Sequence, residues 1–197
     1  ILNCELCPRL CHAARAAGKL GFCGAGDTVK IFRWGPHMGE EPPISGENGS
    51  GTVFFSHCNL GCVFCQNHDI SQDGFGQEIS VERLAEIFLE QQERGFHNVN
   101  LVSAAQFIPQ VAKALKLAKE KGLSIPVIYN SNGYESITGL KMLEGLVDIY
   151  LPDFKYWNDN LGLEYSRCPR YRETAAAAIL EMREQVGPDI LDENGIM

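Results

Sequence analysis

The rhythm of apolar and polar positions changes once along the chain. Up to residue 50 no apolar period is sustained and Cys, Gly and Pro are frequent; from Gly51 onward, short apolar runs alternate with stretches of helical spacing. Residues 52–55 read as a buried strand. Ser80 is a good N-cap with Glu82 in the first turn, and Val81, Leu84, Ala85 and Phe88 then recur at helical spacing. Residues 99–102 form a second strand. Ile108, Val111, Ala112 and Leu115 make the next helical face, closed by Gly122 at C′. A third strand at 127–129, a helix over 134–144, a fourth strand at 147–151 and a helix over 174–186 complete the pattern. Strands alternating with helices in this way predict βαβ units and a parallel sheet, an α/β fold. Four strands cannot close an eight-stranded barrel, which leaves an open partial barrel or a doubly wound sheet. Either arrangement gathers functional residues at the carboxyl ends of the strands.

Charge and cysteine usage narrow the picture. Seventeen Lys and Arg against 25 Asp and Glu leave a net charge of −8 over 197 residues, which argues against a nucleic-acid-binding groove. No apolar run reaches the length of a membrane helix and no signal-like stretch opens the chain. Seven of the eight cysteines fall within the first 65 residues, in two tight groups: Cys4, Cys7, Cys11 and Cys23, then Cys58, Cys62 and Cys65. Gaps of two and three residues without an export signal read as thiolate metal ligands in a reducing cytoplasm rather than as disulfides. Two regions follow: a Cys-rich metal-binding extension over 1–50, which needs metal to supply its folding energy, and a core over 51–197. Cys168, alone before a Pro, reads as a small packed residue.

The second group follows the first predicted strand. Cys58, Cys62 and Cys65 stand on one short loop with gaps of three and two residues. Three thiolates there can hold three corners of a cubane iron–sulfur cluster and leave the fourth iron open, the mark of a reactive centre. A structural zinc, completed by His57 or His68, is the plainer alternative. The first group offers four thiolates, the number that zinc or a second 4Fe–4S cluster wants, and its spacing does not choose between them. Ser103-Ala104-Ala105-Gln106 follows the second strand, as a helix lead-in or a source of hydrogen bonds. Asn130-Ser131-Asn132-Gly133 follows the third, and on composition alone is a turn. Asp153 and Lys155 follow the fourth, two apart and therefore on one face, either as a salt bridge or as a functional pair.

The triplet Cys58, Cys62 and Cys65, with an aromatic residue, Phe64, before the last Cys, resembles the signature of the radical S-adenosylmethionine (SAM) superfamily. Three further stretches, 40–46, 65–67 and 150–155, are similar to one subgroup, the uncharacterised proteins like pyruvate formate-lyase activating enzyme. The resemblance runs from Cys4 to about Gly195. It implies a partial (βα) barrel of radical SAM type with a Cys-rich N-terminal extension. It implies a 4Fe–4S cluster on Cys58, Cys62 and Cys65, with SAM bound at the open iron and cleaved by one electron to a 5′-deoxyadenosyl radical that takes hydrogen from a substrate. Phe64 and Asn67 would then adjoin SAM. Asn130 and Ser131 would help hold a monovalent cation beside the SAM carboxylate. Asp153 would serve that cation or SAM, and Lys155 the SAM carboxylate or the substrate. Ser103 stands where many such enzymes place an acidic SAM ligand, and Asn130 is neutral where better-known relatives have an acid, so no acidic ligand is carried over. The implied partners are a substrate, in the nearest subgroup a glycyl-radical protein, and a one-electron reductant such as flavodoxin or ferredoxin, in the cytoplasm. The competing readings are a two-cluster electron-transfer protein without SAM chemistry and a zinc-stapled binding module. The family pattern extends past Gly195 and the chain opens on Ile1, so the barrel is expected to be incomplete at the C-terminus and the N-terminus incomplete too.

Overall fold

The structure, a computed structural model, describes residues 1–197. Six strands form one sheet: β1 (Val29–His37), β2 (Ser50–Phe55), β3 (Gln77–Ile79), β4 (Val99–Val102), β5 (Val127–Ser131) and β6 (Ile149–Pro152), in the order β3-β1-β2-β4-β5-β6. From β2 to β6 the four neighbours run parallel, as the alternation of strand and helix predicts.

Two strands were not legible as such. β1 pairs antiparallel with β2 on one side and with β3 on the other. Gly35 and Pro36 interrupt its strand pattern. They are tolerated because β3 accompanies only Val29 to Ile31, so Pro36 faces no second neighbour. The segment before residue 51 thus contributes a strand to the main sheet, and Ala25, Val29 and Ile31 are buried in the largest core.

Alternation along the parallel strands gives the sheet two unlike faces. Val53, Phe55, Val99, Leu101, Val127 and Tyr129 join the largest core with α3 (Val81–Glu93) and α4 (Ile108–Glu120). The helical faces carry Leu84, Ile87 and Phe88 on α3 and Val111, Ala114 and Leu115 on α4, all fully buried. Ser80 caps α3 by accepting a hydrogen bond from the Arg83 N–H at 3.1 Å. The opposite face is more polar: Ser50, Thr52, Asn98 and Asn100 are buried there, with the Ser50 hydroxyl 2.6 Å from Asn98 Oδ1. The short helices α1 (Pro42–Ser45) and α2 (His68–Ser71) follow β1 and the second cysteine group.

The helix expected over 134–144 shrinks to α5 (Ile137–Lys141). Asn132 Oδ1 accepts from the Tyr134 N–H at 2.9 Å, and the Glu135 carboxylate binds the Ser131 hydroxyl at 2.7 Å, so side chains hold these residues in a turn. Ser136 caps the shortened helix on the Gly139 N–H. The last helical stretch begins earlier than its period implied, as α7 (Tyr171–Val186), preceded by α6 (Asp159–Ser166). No helix is long and apolar enough to cross a membrane.

Candidate functional site

The carboxyl ends of β2, β4, β5 and β6 open into one cleft of about 380 Å³. Cys58, Cys62 and Cys65 line it, with Phe64 and Asn67 from the same loop. Ser103 follows β4, Asn130 and Ser131 end β5, and Asp153 and Lys155 follow β6. Ten residues singled out across about a hundred positions of sequence therefore share one cavity. The physical reason is topological: parallel strands all deliver their following loops to the same edge.

Each of the three sulfurs meets a hydrogen-bond donor. Cys58 Sγ takes the Leu60 N–H and the Asn132 side-chain amide, both at 3.4 Å. Ser71 donates to Cys65 Sγ at 3.3 Å, and Ser166 to Cys62 Sγ at 3.0 Å. Tyr156 in turn bonds the Ser166 hydroxyl at 2.6 Å. Such donors stabilise thiolate and raise the potential of a cluster held there. Burial pushes the Cys58 thiol up, so as a free thiol it keeps its proton; a metal is what would make it a ligand.

No three of these sulfurs lie within 4.8 Å of one another, a wider spread than the edge of about 3.8 Å that a zinc tetrahedron with Zn–S near 2.3 Å requires. Of the two alternative zinc ligands, only His57 lines the cleft. His68 Nδ1 faces Asp73 at 3.4 Å outside the cleft, and the His57 ring is pressed between Gly24 and Gly74. The donor set of three thiols on one loop suits a cubane cluster with one open iron.

The rest of the cleft is polar and held in place from behind. Phe64 is 60% exposed at the lip, its ring edge-on to Tyr156 at 6.2 Å. Ser103 adopts a left-handed backbone, φ 58°, and its N–H reaches the Asn130 carbonyl at 3.0 Å. Gln106 turns behind the cleft: its side-chain amide donates to the carbonyls of Ser56, His57 and Ser103 at 2.9, 3.1 and 2.7 Å. Lys155 Nζ and Asp153 Oδ2 pair at 2.7 Å across the mouth. The Tyr171 hydroxyl reaches the carbonyls of Asn132 and Asp153 at 2.7 and 2.9 Å and accepts from the Lys155 N–H at 2.8 Å, tying two strand ends together.

Two acids near this cleft went unnoticed as site residues. Glu40, before α1, accepts from Asn100 at 3.0 Å and stands 3.5 Å from the Asn130 amide, on the polar face of the sheet; burial raises its carboxyl above the usual range. Glu135 is buried beneath Ser131, and burial pushes it up to about 7. Glu40 becomes informative only once β4 and β5 lie beside it, whereas Glu135 sits four residues after Ser131 and only its burial is a product of the fold.

Gly133 shows how tightly the strand ends are joined. Its φ is 77°, and a Cβ there would lie 2.9 Å from the Asp153 carbonyl and 3.1 Å from the Tyr171 hydroxyl. Gly133→Ala is expected to cost about 2 kcal/mol, from left-handed strain plus displacement of Tyr171. Urea unfolding of the variant checks this; an unchanged midpoint would contradict the close approach.

Parallel strands that end at a three-thiol cleft offer the donor set of a cluster with one open position. Residues 52–188 match the Radical SAM superfamily, and the chain belongs to that family. It is also 34% identical over 176 residues to "Uncharacterized protein MJ0674" of Methanocaldococcus jannaschii, an alignment covering 86% of this chain and 50% of that protein. The chain therefore spans half the length of the curated relative it matches.

Proposed function

We propose that this chain is the cluster-bearing part of a radical SAM enzyme, with Cys58, Cys62 and Cys65 as ligands of a 4Fe–4S cluster. The observation that carries the reading is the single cleft in which three donor-supported thiols face polar groups from three further strand ends. When bound, the cluster supplies one electron that cleaves SAM to methionine and a 5′-deoxyadenosyl radical, which takes hydrogen from the substrate.

The chain's own residues orient the cosubstrate. Phe64 offers an aromatic edge at the lip for the adenine. Lys155 offers a cation for the SAM carboxylate once its pairing with Asp153 is exchanged. Asn130, Ser131 and Asp153 offer oxygens for a monovalent cation, and Asn67 and Ser103 offer polar contacts at the two sides. The finer reading is a relative of the pyruvate formate-lyase activating enzyme on a partial barrel, in the cytoplasm, acting on a glycyl-radical protein and reduced by a flavodoxin or ferredoxin. A two-cluster electron carrier would leave the strand-end polar groups without a task.

The test is anaerobic reconstitution with iron and sulfide, then dithionite and SAM, with 5′-deoxyadenosine assayed by chromatography. Product is expected. Full iron incorporation without product would overturn the reading.

A further inference from the structure

The other four cysteines surround a buried cation. Arg15 is 3% exposed, and no carboxylate pairs with it. Its guanidinium donates to the carbonyls of Gly26 and of Gln106, the latter at 2.6 Å, and one end lies 4.0 Å from Cys4 Sγ. A guanidinium removed from water without an acid is costly. Neutral thiols would not offset it, whereas four thiolates on a cubane carry a net negative charge. Cys4 and Cys11 pack in one small cluster, turns close from the His12 N–H to the Cys4 carbonyl at 3.0 Å and from the Leu10 N–H to the Cys7 carbonyl at 3.1 Å, and Gly21, two residues before Cys23, lies against the Cys11 sulfur. None of the eight cysteines is in a disulfide.

Spacing separates the two metals that four thiolates could take. Zinc would draw the sulfurs to about 3.8 Å from one another, yet no three of them lie within 4.8 Å, as with Cys58, Cys62 and Cys65. We infer that Cys4, Cys7, Cys11 and Cys23 bind a second 4Fe–4S cluster, with Arg15 as its buried counter-cation.

The site is fastened to the cleft on two sides. Arg9, between Cys7 and Cys11, holds the carbonyls of Asn59 and Leu60 at 2.9 and 2.8 Å. Arg15 holds Gln106, whose amide holds Ser56 and His57. Both ends of the loop carrying Cys58 are therefore braced by the second centre's own segment.

The assignment is tested apart from SAM cleavage. A chain with Cys58→Ala, Cys62→Ala and Cys65→Ala, reconstituted anaerobically with iron and sulfide in the presence of equimolar zinc, is expected to hold about four irons and about four sulfides. Dithionite should then give the EPR signal of a reduced cubane. One zinc and no iron, or no bound metal in a protein with native circular dichroism, would overturn it. If the triple variant fails to fold, the unaltered chain against Cys7→Ala/Cys11→Ala decides: about eight irons should fall to about four, and no fall would sink the proposal. Failure of the unaltered chain, loaded with about eight irons, to form 5′-deoxyadenosine would instead count against the catalytic reading alone.

Discussion

Cys62→Ala is expected to abolish reductive cleavage, bringing 5′-deoxyadenosine formation below about 1% of the unaltered chain, since two thiolates cannot hold a cubane in place. The position allows little substitution. Cys62 is buried, its sulfur receives the Ser166 hydroxyl at 3.0 Å, and Ser166 is itself fixed by Tyr156 at 2.6 Å. Removing the sulfur leaves that pair of hydroxyls aimed at nothing. Ser166→Ala should behave differently, because it keeps all three ligands and loses only a donor; a loss of about 10- to 100-fold is the usual range for such partners. Iron counts and chromatography on the two variants separate the cases. Full cleavage by the Cys62 variant would remove the triplet from the mechanism, and equal losses in both would make the hydrogen bond as important as the ligand.

Arg9→Ala should be the most destabilising substitution outside the core, at about 3 kcal/mol. One guanidinium donates to four carbonyls: Asn59 at 2.9 Å, Leu60 at 2.8 Å, Ser166 at 2.9 Å, and Arg167. Its flat face also lies 3.6 Å from the centre of the Phe22 ring. Truncation strands partly buried carbonyls in the loop that carries Cys58 and Cys62 and in the turn after α6. Arg9→Lys should recover only part of the loss, because a single ammonium cannot span the fork. Urea midpoints of the three proteins measure the effect. A loss under about 1 kcal/mol for the Ala variant would mean that water replaces the clamp.

Much of the site was legible because its signals are local. Gaps of three and two residues bring three thiolates onto one loop whatever the rest of the chain does. Val99 to Val102 and the strand beginning at Val127 announce themselves by short apolar runs, and the general rule for parallel sheets then assigns Ser103, Asn130 and Asp153 to one edge. The helix that periodicity predicts over 134–144 fails to form in full for the opposite reason. Its periodicity is real, but Asn132 and Glu135 spend their side chains on backbone and hydroxyl partners that compete with helical bonds.

The sequence by itself determined the α/β class, the two groups of thiols and the strand ends that share the cleft, since each depends on neighbours a few residues apart. Tertiary structure decided the antiparallel placement of β1, the donors Asn132 and Ser166 on the sulfurs, the approach of Glu40 to Asn130, and the guanidinium of Arg9 spanning two distant turns. The side-chain contacts among these join residues from about 50 to about 160 positions apart. Loop closure over such lengths adds little discrimination between one partner and another, so only the packed chain selects which polar groups meet.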